Sequence, residues 1–151
     1  MSNIKIIKFL IKKKLSVSVA ESCTGGMLSS IITSVPGSSK IFNMGLITYS
    51  NQAKVKILKI PVKLLKKFGA VSKECSIEMT KNLKKMSKSD ICIITTGIAG
   101  PSGGSVEKPV GTVYVGIYIN YKVMIKKYNF NSKLLRKSIQ KKNLYRVAKI
   151  N

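Results

Sequence analysis

The segment Glu21-Ser22-Cys23-Thr24-Gly25-Gly26 holds the side chains of this sequence that could most readily do chemistry. The Ser22 hydroxyl is a potential nucleophile, and it stands between a β-rich run and a helical pattern that begins after two glycines. At a helix N-terminus, free N–H groups and the helix dipole stabilise an oxyanion or bind a phosphate. Gly25 and Gly26 would let the backbone approach a ligand closely. Alternatively, Ser22 or Thr24 only caps the helix, and the segment alone leaves both interpretations open.

A serine nucleophile needs a base, and the sequence contains no histidine. This excludes a Ser-His-Asp triad, a Cys-His dyad and a histidine-ligated metal site, and five carboxylates make an all-carboxylate metal site a poor interpretation. The remaining bases are lysine, tyrosine or a carboxylate. A lysine must lose its proton to act, which burial and neighbouring positive charge favour. Lys54, five residues after Tyr49, could reach back over a strand end, although an ordinary solvated lysine is the alternative.

Strand-like and helix-like patterns alternate along the chain and would position these residues. Helices are predicted at residues 4–14, after Gly26, after Ser50-Asn51, from Pro61 to 67, from about 73 to 86, and at 132–149; strands are predicted at 17–20, 42–49, 91–94, 110–119 and 122–128. The last two strands form a hairpin at Asn120-Tyr121. The pattern predicts one domain over residues 1–151, a three-layer α/β/α fold with a mixed, mostly parallel sheet and a C-terminal antiparallel hairpin.

Three predicted strands end in residues with hydroxyl groups, namely Ser22, Tyr49 and Thr96. Ligands of open α/β sheets lie beyond the carboxyl ends of the strands, so parallel strands would bring these three hydroxyls to one edge. The Gly/Pro-rich segment 97–111 follows the third of them. It matches neither a P-loop nor a Rossmann fingerprint, and a long surface turn is the alternative to a functional loop.

The net charge of +23 comes from 28 basic residues against five acidic ones. Twenty-six of the basic residues are lysines, and they are scattered over the predicted helices and strands. A specific nucleic-acid surface usually has more arginines and stacking aromatic residues, so the charge instead favours a small anionic substrate.

The three cysteines lack metal-ligand spacing and are expected to be free, reduced thiols. No apolar run has the length of a membrane span, and the N-terminal residues lack a signal-peptide cleavage pattern. We therefore expect a protein of the cytoplasm that does not bind a membrane.

Several longer motifs occur in order at characteristic spacing. They are Ala20 to Gly26, Val35-Pro36-Gly37-Ser38-Ser39, Thr48-Tyr49-Ser50-Asn51 with Lys54, Gly69-Ala70-Val71-Ser72, Thr96-Gly97-Ile98-Ala99-Gly100-Pro101, and Lys108-Pro109-Val110-Gly111-Thr112-Val113. Together they resemble the C-terminal domain of the competence/damage-inducible protein CinA, the nicotinamide-nucleotide amidase family, over residues 4–148 and in a stand-alone form.

The resemblance implies hydrolysis of the carboxamide of nicotinamide mononucleotide to nicotinate mononucleotide and ammonia, with no metal or other cofactor. It implies a small nucleotide as the partner and a homo-oligomer as the assembly. Ser22 matches the family's nucleophile, and Tyr49 and Lys54 match its partner positions. Thr96 matches a further site residue, and Arg136 matches an arginine that handles the charge of the substrate.

The resulting hypothesis is that neutral Lys54, with Tyr49 as a relay, takes the proton of Ser22. Backbone N–H groups of residues 24–26, together with Thr96, would stabilise the oxyanion. Two departures from the family pattern bear on activity: Ser132 replaces an arginine, and Ser102 stands where an acidic residue is common. The alternatives are a catalytically weak paralogue that binds a pyridine nucleotide and a basic nucleic-acid-binding module.

Overall fold

A computed structural model describes residues 3–130, which form a five-stranded sheet with helices on both faces. The helices are α1 (Asn3–Lys13), α2 (Met27–Thr33), α3 (Asn51–Lys56), α4 (Val62–Phe68) and α5 (Lys73–Ser87), with one 3-10 turn at Ser38–Lys40. The strands are β1 (Val17–Glu21), β2 (Phe42–Ile47), β3 (Ile91–Gly97), β4 (Thr112–Ile119) and β5 (Lys122–Asn129). The predicted C-terminal helix and Arg136 lie outside the described residues.

The strand order is β2-β1-β3-β4-β5. Strand β1 pairs in parallel with β2 and with β3, whereas β3–β4 and β4–β5 are antiparallel. Four of the five strands consequently run in one direction, which confirms the mixed, mostly parallel sheet. The parallel pairing also confirms that the carboxyl ends of β1, β2 and β3 meet at one edge.

Alternation along β1 and β3 gives the sheet two buried faces, because successive side chains of a strand point to opposite sides. One face carries Val17 and Val19 and packs on α1 and α2 through Ile7, Leu28 and Ile32. The other carries Ala20, Cys92 and Ile94 and packs on α5 through Cys75, Met79 and Leu83. Helices on both faces confirm the three-layer arrangement.

The hairpin between β4 and β5 turns at the predicted residues. Asn120 and Tyr121 have φ values of 49° and 62°. Two successive residues with positive φ are the signature of a type I′ turn, whose twist matches that of the flanking strands. Among the helices within residues 3–130, none combines the length and apolar character that crossing a membrane requires.

Strand β2 ends at Ile47, two residues earlier than predicted, and this difference shapes the site. The Thr48 N–H still donates to the Glu21 carbonyl at 2.8 Å, after which the chain turns away from the sheet. Ser50 then begins α3 by accepting a hydrogen bond from the Ala53 N–H at 3.0 Å. Release from the ladder leaves the carbonyl groups of residues 48 and 49 available to another donor.

Candidate active site

Ser22 is the first residue after β1, at the carboxyl edge of the sheet. Its N–H donates to the Thr95 carbonyl at 3.1 Å, so its backbone is fixed to β3. It continues the alternation of Ser18 and Ala20, which places it on the α5 face of the sheet. The side chain is 7% exposed. A nucleophilic hydroxyl here is shielded from solvent yet stands at the edge where ligands of α/β sheets bind.

Lys54 of α3 enters the same place from the second strand end and is 1% exposed. Its Nζ lies 3.0 Å from Ser22 Oγ, 2.8 Å from the Thr48 carbonyl oxygen and 3.3 Å from the Tyr49 carbonyl oxygen. The two carbonyls can only accept. A neutral amine has two N–H groups and one lone pair, so donation to both carbonyls directs the lone pair at the Ser22 hydroxyl.

Burial lowers the pKa of Lys54, because desolvation penalises the ammonium form. The thiols of Cys75 and Cys23 oppose this shift of the pKa only as far as they ionise. Burial raises the pKa of Cys75 to about 11, which keeps that thiol neutral near neutral pH. Within the described residues no carboxylate pairs with Lys54, so no negative charge stabilises its ammonium form.

The Glu21 side chain, to which the sequence analysis assigned no role, occupies the N-terminal end of α2. Its carboxylate, 0% exposed, accepts from the N–H groups of Gly26, Leu28 and Ser29 at 3.1, 3.0 and 2.7 Å. Its place directly before Ser22, one turn ahead of a helix, was the available signal, since carboxylates favour helix N-termini. The chain itself therefore supplies the anion at this helix end.

This arrangement reduces the number of backbone N–H groups at residues 24–26 that can donate to an oxyanion. The Gly25 N–H donates to the Ser22 carbonyl at 3.0 Å and the Gly26 N–H donates to Glu21, so neither faces a ligand. The backbone N–H of Thr24 makes no hydrogen bond within the described part of the chain. Thr24 Oγ1 lies 2.7 Å from Thr95 Oγ1 and is buried. The Thr24 side chain thus supports the turn. Its backbone N–H is the one of these three that could donate to an oxyanion.

Tyr49 and Thr96 lie at the edge as predicted, but with other contacts than expected. Tyr49 reaches Lys54 through its backbone carbonyl, and its side chain is 53% exposed. The Thr96 hydroxyl donates to the Ala70 carbonyl at 2.9 Å, so its proton is engaged in joining β3 to the α4–α5 connection. The structure consequently brings Ser22 and Lys54 together as side chains and places Tyr49 and Thr96 around them as support.

The Gly/Pro-rich loop after β3 is fastened to the same connection. Lys108 Nζ donates to the Phe68 carbonyl at 2.8 Å. Gly100 precedes a cis proline, Pro101, and Val106 at the far side of the loop is fully exposed. Lys108 therefore anchors the loop to the end of α4, whereas residues 101–107 are exposed to solvent.

Comparison with known proteins identifies the family of this chain. The model of the CinA C-terminal domain matches residues 2–148. This chain belongs to the CinA C-terminal domain family. The CinA-like protein of Thermotoga maritima is 50% identical over 125 residues, which cover 83% of this chain and 30% of that protein. The chain spans about 30% of the length of the curated relatives it matches.

Two solved structures of the family have the same fold. The competence/damage inducible protein CihA from Agrobacterium tumefaciens is 33% identical with a TM-score of 0.89, covering 95% of this chain and 90% of that one. A CinA superfamily protein from Escherichia coli is 29% identical with a TM-score of 0.87, covering 94% and 81%. The predicted family and fold are therefore confirmed.

Proposed function

We propose that this chain is an amidohydrolase that converts nicotinamide mononucleotide to nicotinate mononucleotide and ammonia. The observation that carries the proposal is the buried Lys54 amine, bonded to two carbonyl oxygens and 3.0 Å from Ser22 Oγ. A buried amine without a counter-charge is suited to take a proton from an adjacent hydroxyl. Membership of the CinA C-terminal domain family supports the substrate, because the sequence motifs resemble those of its nicotinamide-nucleotide amidases.

In the proposed reaction, Ser22 Oγ attacks the carboxamide carbon while its proton passes to Lys54 Nζ. The carbon–nitrogen bond of the tetrahedral intermediate then breaks, and the Lys54 ammonium returns that proton to the departing nitrogen, which leaves as ammonia. Water attacks the resulting ester, Lys54 takes a proton from the water, and this proton returns to Ser22 Oγ as the acid product leaves. Each proton is accounted for without a histidine or a metal ion.

The oxyanion of the tetrahedral intermediate needs at least one fixed donor. The Thr24 N–H is our candidate, because Gly25 and Gly26 donate within the chain. Loss of one donor in an oxyanion hole typically costs about 2.7–4 kcal/mol of transition-state stabilisation. Because Thr24 would act through its backbone, its side chain could be changed while this donor is kept.

We assign recognition of the nucleotide phosphate to residues outside α2. The Glu21 carboxylate already fills the N-terminus of that helix, and a second anion there would be repelled. Arg136, which lies outside the described residues, is the proposed contact for the phosphate on the basis of the family motif. The net charge of +23 would attract an anionic substrate in general. We also propose that the chain assembles into a homo-oligomer, which a measurement of its molar mass by light scattering would test.

The proposal is tested by incubating the purified chain with nicotinamide mononucleotide and measuring ammonia and nicotinate mononucleotide. Equal amounts of both products are expected, and Ser22→Ala should release neither. Products from Ser22→Ala at the wild-type rate would contradict Ser22 as the nucleophile.

The substitution of Ser132 for a family arginine favours a second candidate, a paralogue that binds a pyridine nucleotide and turns it over weakly. Calorimetric binding of nicotinamide mononucleotide by the wild-type chain without ammonia release would identify this paralogue. Binding accompanied by ammonia release at a rate typical of enzymes would exclude it.

A further inference from the structure

We infer that Glu21 is a positioning residue of the reaction, which holds Ser22 against Lys54; this inference rests on the proposed function of Ser22. Glu21 is the last residue of β1 and is completely buried. Buried carboxylates are rare unless their oxygens are paired, so a specific set of partners is expected. Those partners are all on one side of the chain, in the first turn of α2.

The Glu21 carboxylate accepts four hydrogen bonds. Oε2 accepts from the N–H groups of Gly26 and Leu28 at 3.1 and 3.0 Å. Oε1 accepts from the Ser29 N–H and from Ser29 Oγ–H, each at 2.7 Å. All four donors belong to the start of α2, so one side chain connects the end of β1 to the beginning of the helix.

These bonds close the chain between Glu21 and Gly26 into a ring that contains the nucleophile. Within the ring, the Gly25 N–H donates to the Ser22 carbonyl. Gly25 and Gly26 have φ values of 58° and 99°, which glycine adopts at little cost. The geometry of the turn that presents Ser22 is thus set by the Glu21 carboxylate on one side and by two glycines on the other.

The backbone around Ser22 is fixed from two further directions. The Glu21 carbonyl accepts the Thr48 N–H of the β2 end at 2.8 Å, and the Ser22 N–H donates to Thr95 of β3. The distance of 3.0 Å between Ser22 Oγ and Lys54 Nζ depends on this frame. Misplacement of a reacting group by 1 Å can cost about 100-fold in rate, so loosening of the Glu21 attachment should appear in turnover.

A buried carboxylate could instead stabilise the fold without affecting the chemistry. Asp90 provides the matched comparison, because it also fastens β1 by its carboxylate. Its Oδ2 accepts from the Ser16 N–H and Oγ–H at 2.8 and 2.6 Å, at the amino end of β1 and away from Ser22. Loss of either carboxylate should lower stability, but only loss of Glu21 should lower the turnover of the folded protein.

Glu21→Gln is the sharpest variant, because it keeps the size of the side chain. A carboxamide has one acceptor oxygen, and its NH₂ group would face N–H donors of Gly26 and Leu28 or of Ser29. We expect kcat for ammonia release from nicotinamide mononucleotide to fall at least ~10-fold, with KM changed less than ~3-fold. Asp90→Asn should keep the wild-type kcat. Measurements are made well below the melting temperature of each variant.

Ser29→Ala is the second variant, in case Glu21→Gln does not fold. It removes one of the four hydrogen bonds to the carboxylate and leaves the Ser29 N–H in place. We expect a decrease in kcat of about 3-fold with KM unchanged, because one net hydrogen bond is lost. The pH dependence of kcat should keep its midpoint in both variants, since the burial of Lys54 is not altered.

Folded Glu21→Gln with wild-type kcat, or folded Ser29→Ala with wild-type kcat if Glu21→Gln does not fold, would overturn the positioning role. The proposed function would survive either result if Ser22→Ala were inactive. A parallel decrease of kcat in Asp90→Asn would also overturn it, since stability alone would then explain the loss. Absence of ammonia release from the wild-type chain would overturn both proposals together.

Discussion

Strand β1 has a polar cluster at each end, and each cluster contains a lysine that donates to two backbone carbonyls. At the carboxyl end, Lys54 donates to Thr48 and Tyr49. At the amino end, Lys84 donates to the carbonyl groups of Lys88 and Ser89 at 3.3 and 2.9 Å. The two lysines have the same kind of hydrogen-bond acceptors, yet their surroundings differ in charge and in access to solvent.

The surroundings of Lys84 at the amino end contain groups that attract a cation. Lys84 is partly exposed, lies near the C-terminus of α5, and has its Nζ 4.7 Å from the ring centre of Tyr118. Helix C-termini and aromatic faces both attract cations, and the charge of Lys84 helps to lower the pKa of Asp90. Lys54 also lies in the last turn of a helix, α3, but no aromatic ring and no carboxylate contacts its amine within the described residues. Two carbonyl contacts are therefore common to both lysines, and it is desolvation without a counter-charge that lowers the pKa of Lys54.

Each cluster also contains a buried serine, and Ser22 at the carboxyl end is hydrogen-bonded to its lysine. Replacement of Ser22 should have the largest effect on turnover. Ser18 is buried at the amino end, with its Oγ 2.7 Å from Ser89 Oγ, and no amine contacts it within residues 3–130. Ser22→Ala should lower ammonia release by at least ~10³-fold, because the proposed nucleophile is lost. Ser18→Ala should retain activity within about twofold in the same assay, since only a structural hydrogen bond is lost. Similar losses in both variants would remove the distinction between the clusters.

A carboxylate introduced beside Lys54 should favour its ammonium form. Cys75→Asp would place a carboxylate in the first turn of α5, where the thiol now interacts with Lys54. The added charge should raise the pKa of Lys54, lower kcat/KM at pH 7.5 by about 10- to 100-fold, and move the acidic limb of the profile to higher pH.

Cys75→Ser adds no charge and is the matched control, with most of the activity expected to remain. The measurement is kcat/KM for nicotinamide mononucleotide as a function of pH. An unchanged profile in folded Cys75→Asp would contradict control of the reaction by the charge state of Lys54.

The sequence predicted where the candidate site residues lie in the fold better than it predicted their contacts. Alternating patterns and the motif at residues 20–26 were enough to place Ser22, Tyr49 and Thr96 at one sheet edge. Choosing Lys54 among 26 lysines required the family resemblance, because burial is a tertiary property that one position does not encode.

The role of Glu21 was missed because its hydrogen bonds run to backbone N–H groups five to eight residues ahead. Backbone donors leave no residue-type signal in the sequence. The contact of Lys54 with the Tyr49 carbonyl was missed for the same reason, since the tyrosine hydroxyl suggested a side-chain role.

Stability should depend on pH through Lys54. The pKa of Lys54 is lower in the folded than in the unfolded chain, so between that lowered value and the ordinary value of 10.5 the unfolded chain binds more protons. The free energy of unfolding should therefore rise with pH in this window, by up to about 1.4 kcal/mol per pH unit. The rise ends near pH 10.5, where the unfolded chain also loses the proton.

The measurement is the difference in unfolding free energy between the wild-type chain and Lys54→Met, from urea titrations at pH 6.5 to 8.5. This range lies below the ordinary thiol pKa of 9.0, so Cys75, which both proteins contain, contributes little to the difference. A difference that does not change with pH in this range would show that Lys54 keeps its proton in the folded chain up to pH 8.5, which would contradict a neutral Lys54 under the conditions of the assay.

The smallest effect is expected for the carboxylate at the amino end. Hydrogen bonds from Ser16 hold the pKa of Asp90 below its ordinary value, so its contribution to stability is present at neutral pH and is lost as pH falls through the lowered pKa. Asp90 is exposed, and Asp90→Asn should cost no more than about 1 kcal/mol at pH 7. Urea denaturation at pH 7 and pH 3 checks this, and a larger difference between the two proteins at pH 3 would contradict it.

The most direct test of the central claim compares the two lysines as bases. Lys54→Met and Lys84→Met are assayed for ammonia and nicotinate mononucleotide release from nicotinamide mononucleotide at pH 8, after each is shown to be folded. We predict a loss of at least ~10²-fold for Lys54→Met, the usual contribution of a general base, and activity within about twofold of wild type for Lys84→Met. Wild-type turnover by folded Lys54→Met would contradict the assignment of Lys54 as the base that activates Ser22.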